Sequence, residues 1–180
     1  MKNILITTGG TGGHVIPSLA LSEHLSSKFS VRIVTDVRGS KYINKNKYHY
    51  DLIDVPNLFS KKHLLPLNIV RYILNFFKSL DFIKKNNICI VISTGGYMTL
   101  PFCFAAFFLK KKLILFEPNS VLGRSNKIVL KFSTKIICYD HKLKNFPIKY
   151  NFKKYSINPI LKQELYKIKK KNVNFKNIKK

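Results

Sequence analysis

Short runs of β-branched and aliphatic residues alternate along this chain with longer stretches whose apolar positions recur every three to four residues. Asn3–Thr7 is the first such run, and it leads into Thr8-Gly9-Gly10-Thr11-Gly12-Gly13-His14. A helix is expected to start near Pro17, because a first-turn proline gives up an N–H that has no partner there. Val15, Leu19, Leu21 and Leu25 supply its apolar positions. Residues 31–35 and 51–55 read as the second and third strands, and residues 64–85 as a helix unusually rich in large apolar side chains. Ile88–Ser93 is the next strand, followed by a helix over 99–109, a strand over 113–116, a helix over 125–132 and a strand over 135–139. Strands alternating with helices predict an α/β fold, a Rossmann-like parallel sheet with helices on both faces. Ligands of such sheets bind beyond the carboxyl ends of the strands.

The pattern changes after about residue 140. Residues 141–180 carry lysine after lysine and a single acid, Glu164, with few apolar runs. They are expected to form a lysine-rich interdomain segment or tail behind a domain spanning 1–140. Residues 88–109 lack any charge and reach membrane-spanning length, but Gly95, Gly96 and Pro101 break them into a strand, a turn and a short helix. No spanning helix and no secretory signal are expected.

Composition adds two constraints. The 180 residues are 46% hydrophobic and 13% aromatic, enough for a folded core. Cys89, Cys103 and Cys138 lie far apart inside apolar runs, without metal or redox spacing, and read as buried reduced thiols of a cytoplasmic protein. The net charge of +25 suggests a phosphate-bearing partner. Yet of the 33 basic residues only Arg32, Arg38, Arg71 and Arg124 are arginine. A surface built for bidentate phosphate or base contacts would use more of them. Most of the charge therefore reflects lysine-rich coding, and no nucleic-acid-reading motif accompanies it.

Three glycine- or amide-bearing turns follow strands. In the first, Gly10, Thr11, Gly12 and Gly13 let the backbone approach a phosphate at a helix start. The Walker lysine is missing and the spacing is not G-x-G-x-x-G. Asp36 stands about where a dinucleotide-binding acid would, but it is expected to be a solvated strand end. His14 either exchanges a proton with a sugar hydroxyl or hydrogen-bonds the loop. The second turn is Ser93-Thr94-Gly95-Gly96-Tyr97, and the third Phe116-Glu117-Pro118-Asn119. There Glu117 is a candidate base or hydroxyl holder, and Asn119 both donates and accepts hydrogen bonds.

Together Gly9-Gly10-Thr11-Gly12-Gly13-His14, Gly95-Gly96-Tyr97, Glu117-Pro118-Asn119 and Ser125-Asn126-Lys127 resemble, in order and spacing, the bacterial lipid I N-acetylglucosaminyltransferases, from Met1 to about residue 162. The resemblance implies one half of a GT-B glycosyltransferase. Such an enzyme transfers GlcNAc from UDP-GlcNAc to the MurNAc 4-hydroxyl of lipid I, with inversion and without a metal or other cofactor. This chain corresponds to the acceptor half, with the donor domain expected to be absent. Thr11, Gly12, Gly13 and Asn119 would touch the nucleotide sugar. His14, Tyr97 and Glu117 would line the cleft, with His14 favoured as base and Glu117 second. Two departures stand out. Phe116 and Pro118 replace the family's histidine and glutamine around Glu117, and Leu161 stands where the family's Gly-Asn-Pro-x-Arg has its arginine. Alone, this half is not expected to turn over. It is then a truncated product, a fragment, or one chain of a two-chain enzyme, and in the last case a separate donor-domain chain is its partner. The alternative is a non-catalytic membrane-surface module that holds a polyprenyl diphosphate or a partner chain.

The helix over 64–85 carries Leu64, Leu65, Leu67, Ile69, Val70, Tyr72, Ile73, Leu74, Phe76 and Phe77, more than one core-facing stripe needs. Lys61, Lys62, Arg71 and Lys78 flank them, and Phe107 and Phe108 precede Lys110-Lys111-Lys112. Ile69, Ile73, Phe76, Phe77, Phe107 and Phe108 are therefore expected to meet an anionic membrane surface. The family seats a patch in this region on the cytoplasmic face of the inner membrane. An ordinary core helix with solvated lysines is the competing reading.

Overall fold

A computed structural model describes residues 1–56 and 65–162. Seven parallel strands form one sheet in the order β3-β2-β1-β4-β5-β6-β7. They are β1 (Asn3–Thr7), β2 (Ser30–Thr35), β3 (Asp51–Leu52), β4 (Ile88–Ser93), β5 (Lys112–Glu117), β6 (Lys135–Cys138) and β7 (Lys154–Ser156). The connecting helices are α1 (Gly12–Leu25), α2 (Val37–Ser40), α3 (Leu65–Lys85), α4 (Leu100–Phe108) and α5 (Arg124–Val129). This is the Rossmann-like parallel sheet that the alternation predicted.

Side chains alternate across the sheet, as the two-residue strand period requires. Leu5, Val91, Leu113 and Leu115 enter the large core under α3, α4 and α5. Ile4, Ile6, Ile92 and Phe116 point to the other face, where Leu21 and Leu25 of α1 meet them. That second face is thinly covered. A wholly apolar hollow of about 230 Å³ remains among Leu21, Leu25, Ile90, Ile114, Ile157 and Ile160.

Strand order reverses between β1 and β4, whose registers run side by side to Thr7 opposite Ser93. Chains leave in opposite directions at such a point, and a crevice opens there. Beyond the strands, Thr94 N–H donates to Thr7 O at 3.0 Å, and Thr94 Oγ1 donates to Thr8 Oγ1 at 2.7 Å. The turns after β1 and β4 are therefore tied together.

Several boundaries differ from expectation. Helix α1 starts at Gly12, so Pro17 lies inside it, and Thr11 caps it in extended conformation without a side-chain bond. Glycine-rich sequence hides a helix start, because propensity alone argues against it. The third strand is only Asp51–Leu52. The lysine-rich segment past residue 140 does not leave the fold at once. It forms a 3₁₀ turn at Ile148–Lys153 and the seventh strand, which pairs with β6. Lys153 anchors that turn by donating to Leu130 O, Lys131 O and Ser133 O. Cys103 and Cys138 are buried as expected, whereas Cys89 is exposed. Residues 88–109 are indeed a strand, a turn and a short helix, and no described helix is long and apolar enough to cross a membrane.

Candidate active site

The crevice is lined by the three turns. A methyl group built on Gly95 would lie 3.1 Å from His14 Cε1, so the His14 imidazole rests directly on the second turn. Gly95 takes φ +97° and Gly96 φ +85°, conformations that side-chain-bearing residues rarely adopt. A methyl on Gly96 would also meet Gly9 O at 3.0 Å. On the other side, Asn119 Oδ1 lies 3.9 Å from the corresponding position on Gly13. His14, Gly13, Gly95 and Asn119 thus share one cleft.

His14 Nδ1 is buried and has no hydrogen-bond partner in the structure. Leaving such an atom unpaired is unfavourable, and because it is covered, an incoming group could pair with it only if the ring turned. At the start of α1, His14 and Val15 are the first amides to bond back, both to Thr11 O. The Gly12 and Gly13 amides ahead of them have no intrahelical acceptor and sit at the positive end of the helix. The Gly10 amide is not equivalent to these. It donates to Asp36 Oδ1 at 3.0 Å.

Asp36 is consequently not a solvated strand end. It is 3% exposed, accepts from Gly39 N–H at 2.7 Å as well as from Gly10, and pairs through Oδ2 with Arg38. The Arg38 guanidinium lies over the Tyr97 ring, 4.9 Å from its centroid. Tyr97, next after the glycine pair, therefore sits against Arg38. Burial pushes its phenol above the ordinary value, an effect that Arg38 opposes and that Asp36 and Asp54 reinforce. At neutral pH it remains a hydroxyl.

Glu117 is wholly buried and fully engaged. Oε1 accepts from Asn119 N–H and Asn119 Nδ2, and Oε2 accepts from Gly123 N–H at 2.9 Å and Asn126 Nδ2 at 3.0 Å. A carboxylate accepts only, so it dictates which way both amides turn. Asn119 must present Oδ1 toward Gly13, and Asn126 Oδ1 accepts from Ser93 Oγ at 3.4 Å. Glu117 lies beneath the cleft and organises its wall.

Of the candidates named from the sequence, the structure brings His14, Gly13, Gly95 and Asn119 together; the place of Arg38 beside the first turn and the inward turn of Asp36 were not anticipated. The available signal was that Arg38 is one of only four arginines, placed directly after a strand end. Asn126 was noted within a motif, without its role as the bridge between Glu117 and Ser93.

The second candidate surface is α3 with α4. Helix α3 packs Tyr72, Phe76, Leu80, Phe82 and Ile83 on the core beside the buried polar side chains Asn68, Asn75 and Ser79, and still leaves Leu67, Ile69, Val70, Ile73, Leu74 and Phe77 exposed. Phe77 is 60% and Phe108 70% exposed. Phe76 is half-buried, edge-on to both Phe77 and Phe108. An aromatic hollow of about 380 Å³ opens between Tyr72, Phe76, Phe104, Phe107 and Phe108. Lys61, Lys62 and Leu64 lie outside the described residues.

Sheet order, crevice and helix-start turn define a Rossmann-like domain of the kind that makes one half of a GT-B glycosyltransferase. The sequence matches the glycosyltransferase family 28 N-terminal domain over residues 4–138, and the chain belongs to that family. It is 46% identical over 165 residues to the UDP-N-acetylglucosamine--N-acetylmuramyl-(pentapeptide) pyrophosphoryl-undecaprenol N-acetylglucosamine transferase of Pelagibacter ubique, covering 92% of this chain and 46% of that protein. A protein of the same name from Rickettsia typhi is 38% identical over 149 residues, 82% of this chain and 38% of its own length. The crystal structure of Acinetobacter baumannii MurG superposes with a TM-score of 0.73 at 21% identity, over 90% of this chain and 47% of that one. The chain thus spans less than half the length of these relatives.

Proposed function

We propose that this chain is the lipid-acceptor half of an inverting transferase that moves GlcNAc from UDP-GlcNAc to the MurNAc 4-hydroxyl of lipid I. It works at the cytoplasmic membrane face together with a donor-binding domain. What carries the reading is the placing of the partly exposed His14 imidazole against Gly95 where strand order reverses, on the same rim as the Gly12 and Gly13 amides and Asn119 Oδ1. The names of the Pelagibacter and Rickettsia relatives supply the substrate pair.

In this reading the acceptor hydroxyl oxygen bonds to the anomeric carbon as the bond from that carbon to the diphosphate breaks. UDP leaves with the electron pair, and the hydroxyl proton passes to His14. Histidine suits this step because its ordinary pKa lies near neutrality. Glu117 positions rather than exchanges protons: all its acceptor directions are occupied and it is shut off from the cleft. The Gly12 and Gly13 amides hold phosphate oxygens, and Asn119 Oδ1 accepts from a sugar hydroxyl.

The membrane half of the proposal rests on α3. Besides the side chains it packs on the core, this helix exposes Leu67, Ile69, Val70, Ile73, Leu74 and Phe77, a second apolar face of the kind that a helix lying on a lipid surface buries. Replacing Phe77 and Phe108 by serine should release the protein from vesicles containing anionic lipid without changing its thermal midpoint; unchanged sedimentation would remove that half of the proposal.

The transfer reaction is tested with labelled UDP-GlcNAc and lipid I, with and without a supplied donor domain from a relative. Product formed only on complementation supports the half-enzyme. A folded complex that forms no product would leave a module that merely holds the lipid diphosphate.

A further inference from the structure

The glycine turn has a cation at its mouth that its motif does not contain. Arg38 Nη2 lies 3.6 Å from where a methyl on Gly10 would be. Its side chain is 52% exposed, although two groups hold it. Asp36 Oδ2 accepts from Nε at 3.3 Å and from Nη2 at 3.2 Å, and the guanidinium lies over the Tyr97 ring, 4.9 Å from its centroid. Asp36 is itself fixed, through its other oxygen, by the Gly10 and Gly39 amides. A guanidinium carries five N–H donors. Two are engaged with Asp36, which leaves three directed elsewhere.

This is an unusual amount of structure around one exposed arginine. Long cationic side chains on a surface normally lose rotamer entropy when they bind, and that loss weakens exposed ion pairs. Here the aromatic shelf and the buried carboxylate have already fixed the fork beside the turn. The second motif's tyrosine also gains a function, since Tyr97 supports the cation that serves the first motif.

We infer that Arg38 is a diphosphate-binding residue of this site: its free N–H groups and the Gly12 and Gly13 amides grip adjacent phosphate oxygens from two sides. The inference rests on the reading of the glycine turn as a diphosphate site given above. The shared chemistry is a diphosphate, which both the lipid acceptor and the nucleotide sugar carry. Arginine suits it because its planar fork matches two oxygens at once, whereas a lysine acts as a point charge. That distinction matters in a chain whose other exposed cations are nearly all lysine.

The test is calorimetric titration of the 180-residue chain with geranyl diphosphate and, separately, with UDP, at about 0.3 M salt to screen diffuse charge. Arg38→Ala should weaken binding of at least one of them by roughly tenfold to a hundredfold, the loss of one or two charge-assisted hydrogen bonds. The ligand affected identifies the source of the diphosphate. Arg38→Lys keeps the charge and the Asp36 pair but loses the fork, and should lie between. Arg32→Ala removes the same charge from the Asp51 and Asn86 contacts near the opposite end of β2, and should leave both affinities within twofold. Arg38 variants that bind both ligands like wild type, or an equal loss in Arg32→Ala, would overturn the assignment. Should the unaltered chain bind neither diphosphate yet support transfer when complemented, the Arg38 assignment falls while the function stands. Absence of both binding and transfer removes the two together.

Discussion

The turns after β1 and β5 both carry residues that looked catalytic in the sequence, and they are built on opposite principles. Around Glu117 every acceptor direction is filled, by two backbone amides and two asparagine side chains. Around His14 one ring nitrogen is buried without a partner, and two helix-start amides lack an intrahelical acceptor. A satisfied polar cluster rigidifies; an unsatisfied one still has a partner to find. Residue type does not separate the two cases, since glutamate is as good a proton acceptor on paper as histidine. Local hydrogen-bond accounting does separate them.

Four substitutions would break or sharpen this contrast. The largest effect is expected at His14: alanine there should cut transfer by the complemented enzyme by about 10²–10⁴-fold, the usual range for a lost general base, with little change in thermal midpoint. A loss below tenfold would return His14 to a loop-holding role. Next, Glu117→Gln sets an amide NH₂ against donors that now meet a carboxylate, whichever way it flips. It should destabilise by about 3 kcal/mol, lowering the thermal midpoint by roughly 6–12 °C. A stable Glu117→Gln protein that had lost transfer would instead make Glu117 the base. Gly96→Ala tests the tie between the first two turns, through positive φ and the nearby Gly9 O. A cost of about 1–3 kcal/mol, read in denaturant midpoints, is expected. Smallest is Tyr97→Phe, which keeps the ring under Arg38 and should change transfer by no more than about twofold. A collapse of activity would show that the hydroxyl takes part.

A chemical check concerns the core rather than the site. Burial pushes the Cys103 thiol up to about 12, although hydrogen bonds with Ser93 and Thr99 pull the other way. At pH 8 it stays protonated, so a thiol reagent should modify Cys89 quickly and reach Cys103 and Cys138 only in denaturant. Fast modification of all three thiols would mean that α4 does not pack on the sheet as described.

Much of the fold could be read from periodicity, because each central strand is a continuous apolar run with glycine or lysine at its ends. Helix α1 began earlier than expected, since Gly12 and Gly13 are held in the helix by the sheet crevice and not by propensity. The seventh strand was hidden because only three residues of a lysine-rich segment join β6, with Tyr155 and two polar neighbours as its sequence. The candidate site was legible as to which turns would meet, since strand ends of a parallel sheet share one rim. The division of labour within it was not. Whether Glu117 is covered or open depends on Gly123 and Asn126, which arrive from the cap and first turn of α5, and whether Arg38 is fixed depends on Tyr97, 59 positions away. Such partnerships are set by tertiary contact and leave no local pattern.

The inward turn of Asp36 has a consequence for selectivity among nucleotides. In sheets of this topology, an acid at the end of the second strand commonly greets the adenosine ribose of a dinucleotide. Here that carboxylate is locked onto two backbone amides and a guanidinium, so no hook is left for the paired hydroxyls. A redox coenzyme entering the crevice would find a place for its phosphates and none for its sugar, and the same carboxylate that steadies the turn thereby disqualifies the commonest occupant of this architecture.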